Sequence, residues 1–166
     1  MTTQPRFIPA EPVSLRMDGV EGFSVRFVDC VGYVVDGAMG AEEEGQQRMV
    51  RTPWFDHEIP FTQAAEVGTT KVIGDHSNIG LLVTTDGSFS GIERSAYVPA
   101  EEKAVAALKA SGKPFVMILN SSEPSTGETR RLRSELEQKY AVPVLLMDVK
   151  HLEEEDLDGL MRAVLY

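Results

Sequence analysis

Short runs of apolar, β-branched residues alternate along this chain with stretches whose apolar positions recur every three or four residues. That alternation is the mark of a mostly parallel α/β sheet. Val13–Met17 and Ser24–Asp29, separated by Asp18-Gly19-Val20-Glu21-Gly22, predict an antiparallel hairpin. Tyr33 to Pro60 predicts a long irregular region, because its glycines, its Glu42-Glu43-Glu44 run and its Pro53 and Pro60 all discourage regular structure. A loop of that length inside a domain is commonly functional or mobile. Thr62–His76 has helical spacing through Ala64, Ala65, Val67, Val72 and Ile73, and Ile79–Thr84 predicts a buried strand closed by the turn Thr85-Asp86-Gly87. Ala100–Ser111 predicts an amphipathic helix ended by Gly112, Phe115–Asn120 a second buried strand and Thr126–Tyr140 a charged helix. A strand over Val142–Asp148 and an acidic amphipathic helix over Glu153–Leu165 complete the order. By pattern alone this order also fits the flavodoxin-like class.

Composition narrows the field. The 166 residues predict one domain, and 42% hydrophobic content is ordinary for a globular core. A net charge of −10 argues against nonspecific binding to nucleic acid or to anionic membrane. The single cysteine, Cys30, excludes an internal disulfide and a multi-cysteine metal site, and its apolar strand predicts a buried, inert thiol. No apolar run approaches the length of a membrane span, and the first residues, MTTQPRFIPAEP, lack the hydrophobic segment of a signal peptide. A cytoplasmic location is the expectation.

Candidate chemistry centres on Val25-Arg26-Phe27-Val28-Asp29-Cys30-Val31-Gly32. An apolar run ends in Asp29, and Gly32 follows three residues later: the D-x-x-G pattern of P-loop nucleotide hydrolases. There the acid supports Mg²⁺ through water, and the glycine lets a backbone N–H approach the γ-phosphate. A G-x-x-x-x-G-K-[ST] phosphate loop should lie upstream, and nothing of that form occurs in these residues. Asn120-Ser121-Ser122-Glu123 follows an apolar strand, where GTPases carry N-K-x-D. Asn120 is kept, Ser121 replaces the lysine, and Glu123 is one methylene longer than the aspartate that pairs with guanine. If a base binds there, guanine specificity is lost and adenine is admitted; the same tetrapeptide also reads as a plain strand-end turn. Thr2 and Thr3 occupy an extended, Pro-containing segment where a threonine of these hydrolases contacts Mg²⁺ and the γ-phosphate; on their own they equally describe a terminal tail. His57, His76 and His151 have no ligand-type spacing, and Asp86 and Glu93 read as solvated loop acids rather than a hydrolase pair. Trp54 and Phe55 are placed either to anchor a partner or to tack the long loop onto the core.

Taken together, the whole chain resembles the stage IV sporulation protein A family, the morphogenetic ATPases of the bacterial spore coat. The resemblance is carried by Met1-Thr2-Thr3-Gln4-Pro5-Arg6-Phe7-Ile8-Pro9, Val28-Asp29-Cys30-Val31-Gly32-Tyr33, Thr52-Pro53-Trp54 and Ile59-Pro60-Phe61. It continues through Ala64-Ala65-Glu66-Val67-Gly68-Thr69, Lys71-Val72-Ile73, Thr84-Thr85-Asp86-Gly87, Gly112-Lys113-Pro114-Phe115 and Asn120-Ser121. It implies an α/β, P-loop NTPase-like domain of the translation-factor-related GTPase class, a three-layer α/β/α sheet, here without its first strand and P-loop. It also implies ATP and Mg²⁺ as cofactors. Thr2 and Thr3 then correspond to sensor threonines, Asp29 to the acid supporting Mg²⁺, Gly32 to the switch glycine, and Asn120 and Ser121 to the base-recognition motif. In the family, ATP hydrolysis drives self-assembly into a layer on the forespore surface, on which coat proteins build. The implied partners are therefore further copies of the protein and spore coat proteins. The implied location is the mother-cell cytoplasm at the outer forespore membrane, reached through a C-terminal region that these residues do not include. The resemblance makes residues 1–166 one ATPase domain without its P-loop, inactive alone, with the family's middle and C-terminal domains absent. Two other readings stay open: an active GTPase, and a nonenzymatic assembly module whose partner-binding loop is Tyr33–Pro60.

Overall fold

Phe115–Asn120 reads Phe-Val-Met-Ile-Leu-Asn, a run with no polar residue until its last position, and such a strand is stable only with both faces covered. It is the middle strand of a parallel three-stranded sheet. The computed structural model, which describes residues 5–17, 20–38, 40, 42–43 and 45–165, sets β7 (Gly80–Thr85), β8 (Phe115–Asn120) and β9 (Val144–Met147) in the order β7-β8-β9. Side chains alternate across β8. Met117 and Leu119 pack with Val105 of α2 (Arg94–Ser111) and Leu136 and Tyr140 of α3 (Gly127–Tyr140). Val116 and Ile118 face the other way, onto Leu160 of α4 (Glu154–Leu165). Two helices, a sheet and one helix thus make three layers. Gly80 starts β7 where helix and sheet touch: a Cβ there would lie 2.5 Å from Leu108 and 2.9 Å from the Cβ of Phe115.

Caps explain the helix ends. Thr126 accepts the Thr129 N–H at the start of α3, and Ala141, at φ 53°, ends it in the left-handed conformation. The start of α2 departs from expectation. The helix begins at Arg94, six residues before Ala100, and runs through Pro99. An interior proline removes one helical hydrogen bond and disfavours the preceding turn. The turn holds because Arg94 is tied to Glu101, two turns along the same helix, and Ala96 N–H bonds Glu93 O.

The chain divides into two compact units: Met1–Val34 with Gly40–Ser77, and Val35–Met39 with Asn78–Tyr166, which holds the sheet just described. The first unit contains an antiparallel hairpin of β1 (Arg6–Met17) and β2 (Val20–Asp29). Both strands are longer than the apolar runs suggest. Their register shifts between Ile8 and Val13, the stretch holding Pro9 and Pro12, where proline's missing donor is tolerated. Phe7, Ile8, Val13 and Phe27 remain 36–48% exposed, and the Arg26 guanidinium lies 4.2 Å over the Phe7 ring. The region expected to be irregular carries short ladders, β3 (Glu42–Glu43) with β4 (Gln46–Gln47) and β5 (Met49–Val50) with β6 (Ile59–Pro60). Helix α1 (Phe61–Lys71) follows Pro60, buries Phe61, Ala64 and Ala65, and passes into a π turn at Val72–His76. Trp54 lies against Gly68, where a Cβ would meet its ring at 3.3 Å, so this indole tacks the loop onto α1. Cys30 is half-buried beyond the last residue of β2, not sealed in the strand: the apolar run that suggested burial ends one residue before it.

Candidate functional site

The carboxyl ends of parallel strands are where loops can gather side chains against a rigid edge. In the second unit Asp86, Asn120 and Asp148 occupy those ends or the residues just after them. Asp86 gathers the most contacts. Its Oδ1 accepts the Ser88 hydroxyl at 2.6 Å and the Ser88 N–H at 3.0 Å, and its carboxylate also takes a hydrogen bond from Ser121. Burial alone pushes the Asp86 carboxyl up; the bonds from Ser121 and Ser88 outweigh it and hold it below the usual carboxylate value. The reading of Asp86 as a solvated loop acid is therefore corrected: it is half-buried and committed, while Glu93 is exposed at the start of α2.

Asn120 ends β8, and its Oδ1 accepts the Val149 N–H at 2.9 Å, joining the strand to the loop after β9. Ser121 is fully buried. Its N–H bonds Met147 O, and its Oγ accepts the Glu123 N–H at 3.0 Å. The Ser122 N–H bonds the Ser88 Oγ at 3.0 Å. Asn120 and Ser121 are thus brought together with Asp86 and Ser88, and the loop 120–123 is held from both sides. Glu123 is exposed; its carbonyl accepts the Thr126 N–H and the Thr129 hydroxyl. In the turn after β9, His151 Nδ1 lies 2.7 Å from Asp148 Oδ2, and that bond draws the Asp148 carboxyl below its usual value.

Sequence reasoning missed Glu101. Its side chain is 2% exposed, although it is an acid. Arg94 Nη2 contacts both its oxygens, at 2.9 and 2.7 Å, Thr84 donates to it at 2.6 Å and Tyr140 at 2.7 Å. Burial and the bond to Glu101 raise the Tyr140 hydroxyl above the usual phenol value, against a smaller opposing pull from Lys139. The signal was available: Glu101, Ala104, Val105 and Leu108 share one apolar stripe of α2, so an acid at Glu101 required buried partners. Arg94 faces a shallow cleft together with Asp86, Ser88, Ser122, Glu123 and Leu132, and its Nε and Nη1 are buried without an acceptor.

Asp29 and Gly32 lie in the first unit. Asp29 is the exposed last residue of β2, opposite Arg6, and Gly32 follows at φ 76°, a conformation that favours glycine, with open space where a Cβ would be. Thr2 and Thr3 lie outside the described residues. Among the described residues no three His, Cys, Asp or Glu side chains are gathered to hold a metal.

A family model for "Stage IV sporulation protein A, ATPase domain" matches residues 1–166, the whole of the chain. The chain belongs to this family. It is 52% identical over 166 residues to stage IV sporulation protein A of Clostridioides difficile (strain 630), and 46% identical over 166 residues to the proteins of that name in Bacillus subtilis (strain 168) and Bacillus anthracis. Each match covers 100% of this chain and 34% of the relative, so the chain spans about a third of the length of these relatives. No solved structure matches. The resemblance drawn from the residues is thus borne out at the level of the family.

An ATPase domain implies nucleotide use and usually a metal ion. The donor chemistry fits a hard cation: Mg²⁺ binds through one or two carboxylates together with phosphate oxygens and water, not through a protein cage. Asp29, exposed at the end of β2, is one carboxylate of the hard type that such a cation takes. The family match runs unbroken across both compact units, and among the described residues no helix is long and apolar enough to cross a membrane.

Proposed function

We propose that this chain is the nucleotide-handling part of a spore-coat assembly ATPase of the translation-factor-related P-loop class, and that both compact units belong to its one ATPase domain. The family match over every residue carries the reading. The degenerate Asn120-Ser121-Ser122-Glu123 at the carboxyl end of β8 supports ATP over GTP, because Glu123 lacks the geometry of the aspartate that pairs with guanine. Asn120 and Ser121 shape the base side. Asp29 would hold the metal through water, Gly32 would lend its backbone N–H to the γ-phosphate, and Thr2 and Thr3 would sense nucleotide state. Bound Mg²⁺ supplies neutralisation of the phosphate charge during hydrolysis. The role is self-polymerisation, with spore coat proteins as further partners, at the forespore surface on the mother-cell side, with membrane attachment through a region outside these residues. Without a phosphate loop the 166 residues alone do not hydrolyse ATP.

The test is Mg²⁺-dependent binding of labelled ATP and GTP to this chain and to the same chain extended upstream through a phosphate loop. Binding only by the extended chain, with ATP preferred, is the expected result. Preference for GTP in the extended chain would make it a GTPase, and binding by neither would leave a nonenzymatic assembly module. That second reading draws on the loop 33–60, where Met49 stands 49% exposed, as a surface for partners.

A further inference from the structure

We infer that Asp86 is a positioning residue for nucleotide selection, acting through the loop 120–123; the inference rests on the reading that a base binds beside Asn120 and Ser121. Three ties hold the loop on the β7 side: the Asp86 N–H bonds Asn120 O at 3.3 Å, and the two through serine side chains lead to the Asp86 carboxylate. Ser121 donates its buried hydroxyl to Asp86. Ser88 donates its hydroxyl to Asp86 Oδ1 at 2.6 Å, which leaves the Ser88 Oγ lone pairs to accept the Ser122 N–H at 3.0 Å. The same Oδ1 takes the Ser88 N–H at 3.0 Å and so closes the turn that presents the Ser88 side chain. Thr85 completes the turn by accepting the Gly87 N–H at 3.1 Å.

Directionality makes Asp86 the keystone. An ionised carboxylate only accepts, so it forces both serine hydroxyls to donate towards it. Ser121 Oγ is then left with lone pairs for the Glu123 N–H, which it accepts at 3.0 Å. Asp86 therefore orients two successive backbone amides, at Ser122 and Glu123, without touching either. Gly87, at φ 94°, sits between Asp86 and Ser88 with the Ile92 carbonyl oxygen 3.1 Å from where a Cβ would be, so the turn is closed tightly against the chain leading into α2. Asn120 Oδ1 fixes the other flank through Val149. A base edge approaching the loop meets a backbone whose shape these bonds have set, with the Ser122 and Glu123 N–H groups already engaged within the protein.

The experiment uses the full-length protein that contains these residues, with ATP or GTP and Mg²⁺ as probes, and compares Asp86→Ala, Asp86→Asn and Asn120→Ala. Asp86→Ala should raise KM for ATP about tenfold with kcat within about twofold, and shrink the ratio of kcat/KM for ATP over GTP. Asp86→Asn keeps an acceptor oxygen for Ser88 and should show a smaller rise. Partial unfolding gives the opposite split, a fall in kcat through loss of active protein with KM unchanged, and that result would overturn the inference. Ser88→Ala, which removes one anchor and leaves the carboxylate, should also raise KM; an unchanged KM there would count against the relay. If Asn120→Ala raises KM and Asp86→Ala does not, the inference fails while the base site stands. If neither changes KM, the base-site reading itself is wrong and the inference falls with it.

Discussion

Two ion pairs of nearly equal length start from neighbouring residues of α2, and they should differ greatly in what they contribute. Arg94–Glu101 is 2.7 Å long with side chains 20% and 2% exposed; Lys139–Glu102 is 2.6 Å long with side chains 44% and 53% exposed. Replacing Glu101 by Gln keeps the shape and removes the charge. The new amide places donors where the Arg94 Nη2 and one of the Thr84 and Tyr140 hydroxyls also donate. Taking one partner from a buried pair typically destabilises by about 3–5 kcal/mol, because the other charge stays buried without compensation. Arg94 cannot escape the problem, since its Nε and Nη1 already lack acceptors. For the exposed pair, water replaces the lost partner and Glu102→Gln should change stability by less than about 1 kcal/mol. Amide hydrogen exchange at Val116–Leu119 of β8 reads the stability of this sheet directly. Glu101→Gln should speed exchange there by roughly two to almost four orders of magnitude, at about 1.4 kcal/mol per tenfold. Equal, less than tenfold effects from Glu101→Gln and Glu102→Gln would refute the claim that burial, and not distance, decides the worth of these pairs.

Two further outcomes can be checked on the same sheet. Because the folded Asp86 carboxyl titrates below its ordinary value, its stabilisation is complete above that ordinary value and is lost as pH falls through the lower folded one. Tyr140 is raised instead, so its share is present below about pH 10 and is lost as pH rises through its higher folded value. Unfolding followed across pH should therefore show Asp86→Asn flattening the acid limb alone and Tyr140→Phe the alkaline limb alone; no change in either slope would refute the linkage. Gly80→Ala must displace Leu108 and the Cβ of Phe115, and overpacking of this kind typically destabilises by about 1–3 kcal/mol; urea unfolding showing an unchanged midpoint would mean that α2 gives way freely.

Much of the second unit was legible in the residues. Strand Phe115–Asn120 and helix Gly127–Tyr140 with its Thr126 cap follow from local rules: an unbroken apolar run, helical spacing, a threonine that satisfies an end amide. These rules act over a few residues, so one sequence suffices to read them. The family was legible too, through long matching runs. What the sequence could not decide was everything set by groups distant along the chain. The amphipathic spacing predicted a helix beginning at Ala100, and only the packing of Arg94 on Glu101, with Thr84 and Tyr140 around them, carries α2 back to Arg94 through Pro99. Asp86 looked like a loop acid because Ser121, which helps fix its charge, is thirty-five positions away. Asn120 and Ser121 were legible as a motif, but their commitments to Val149, Met147 and Asp86 were not. Hydrophobic periodicity is a property of the chain itself and determines which segments form and which faces they bury. The protonation, donor direction and strength of a polar group depend on neighbours brought near only by tertiary packing, and those the fold alone decided.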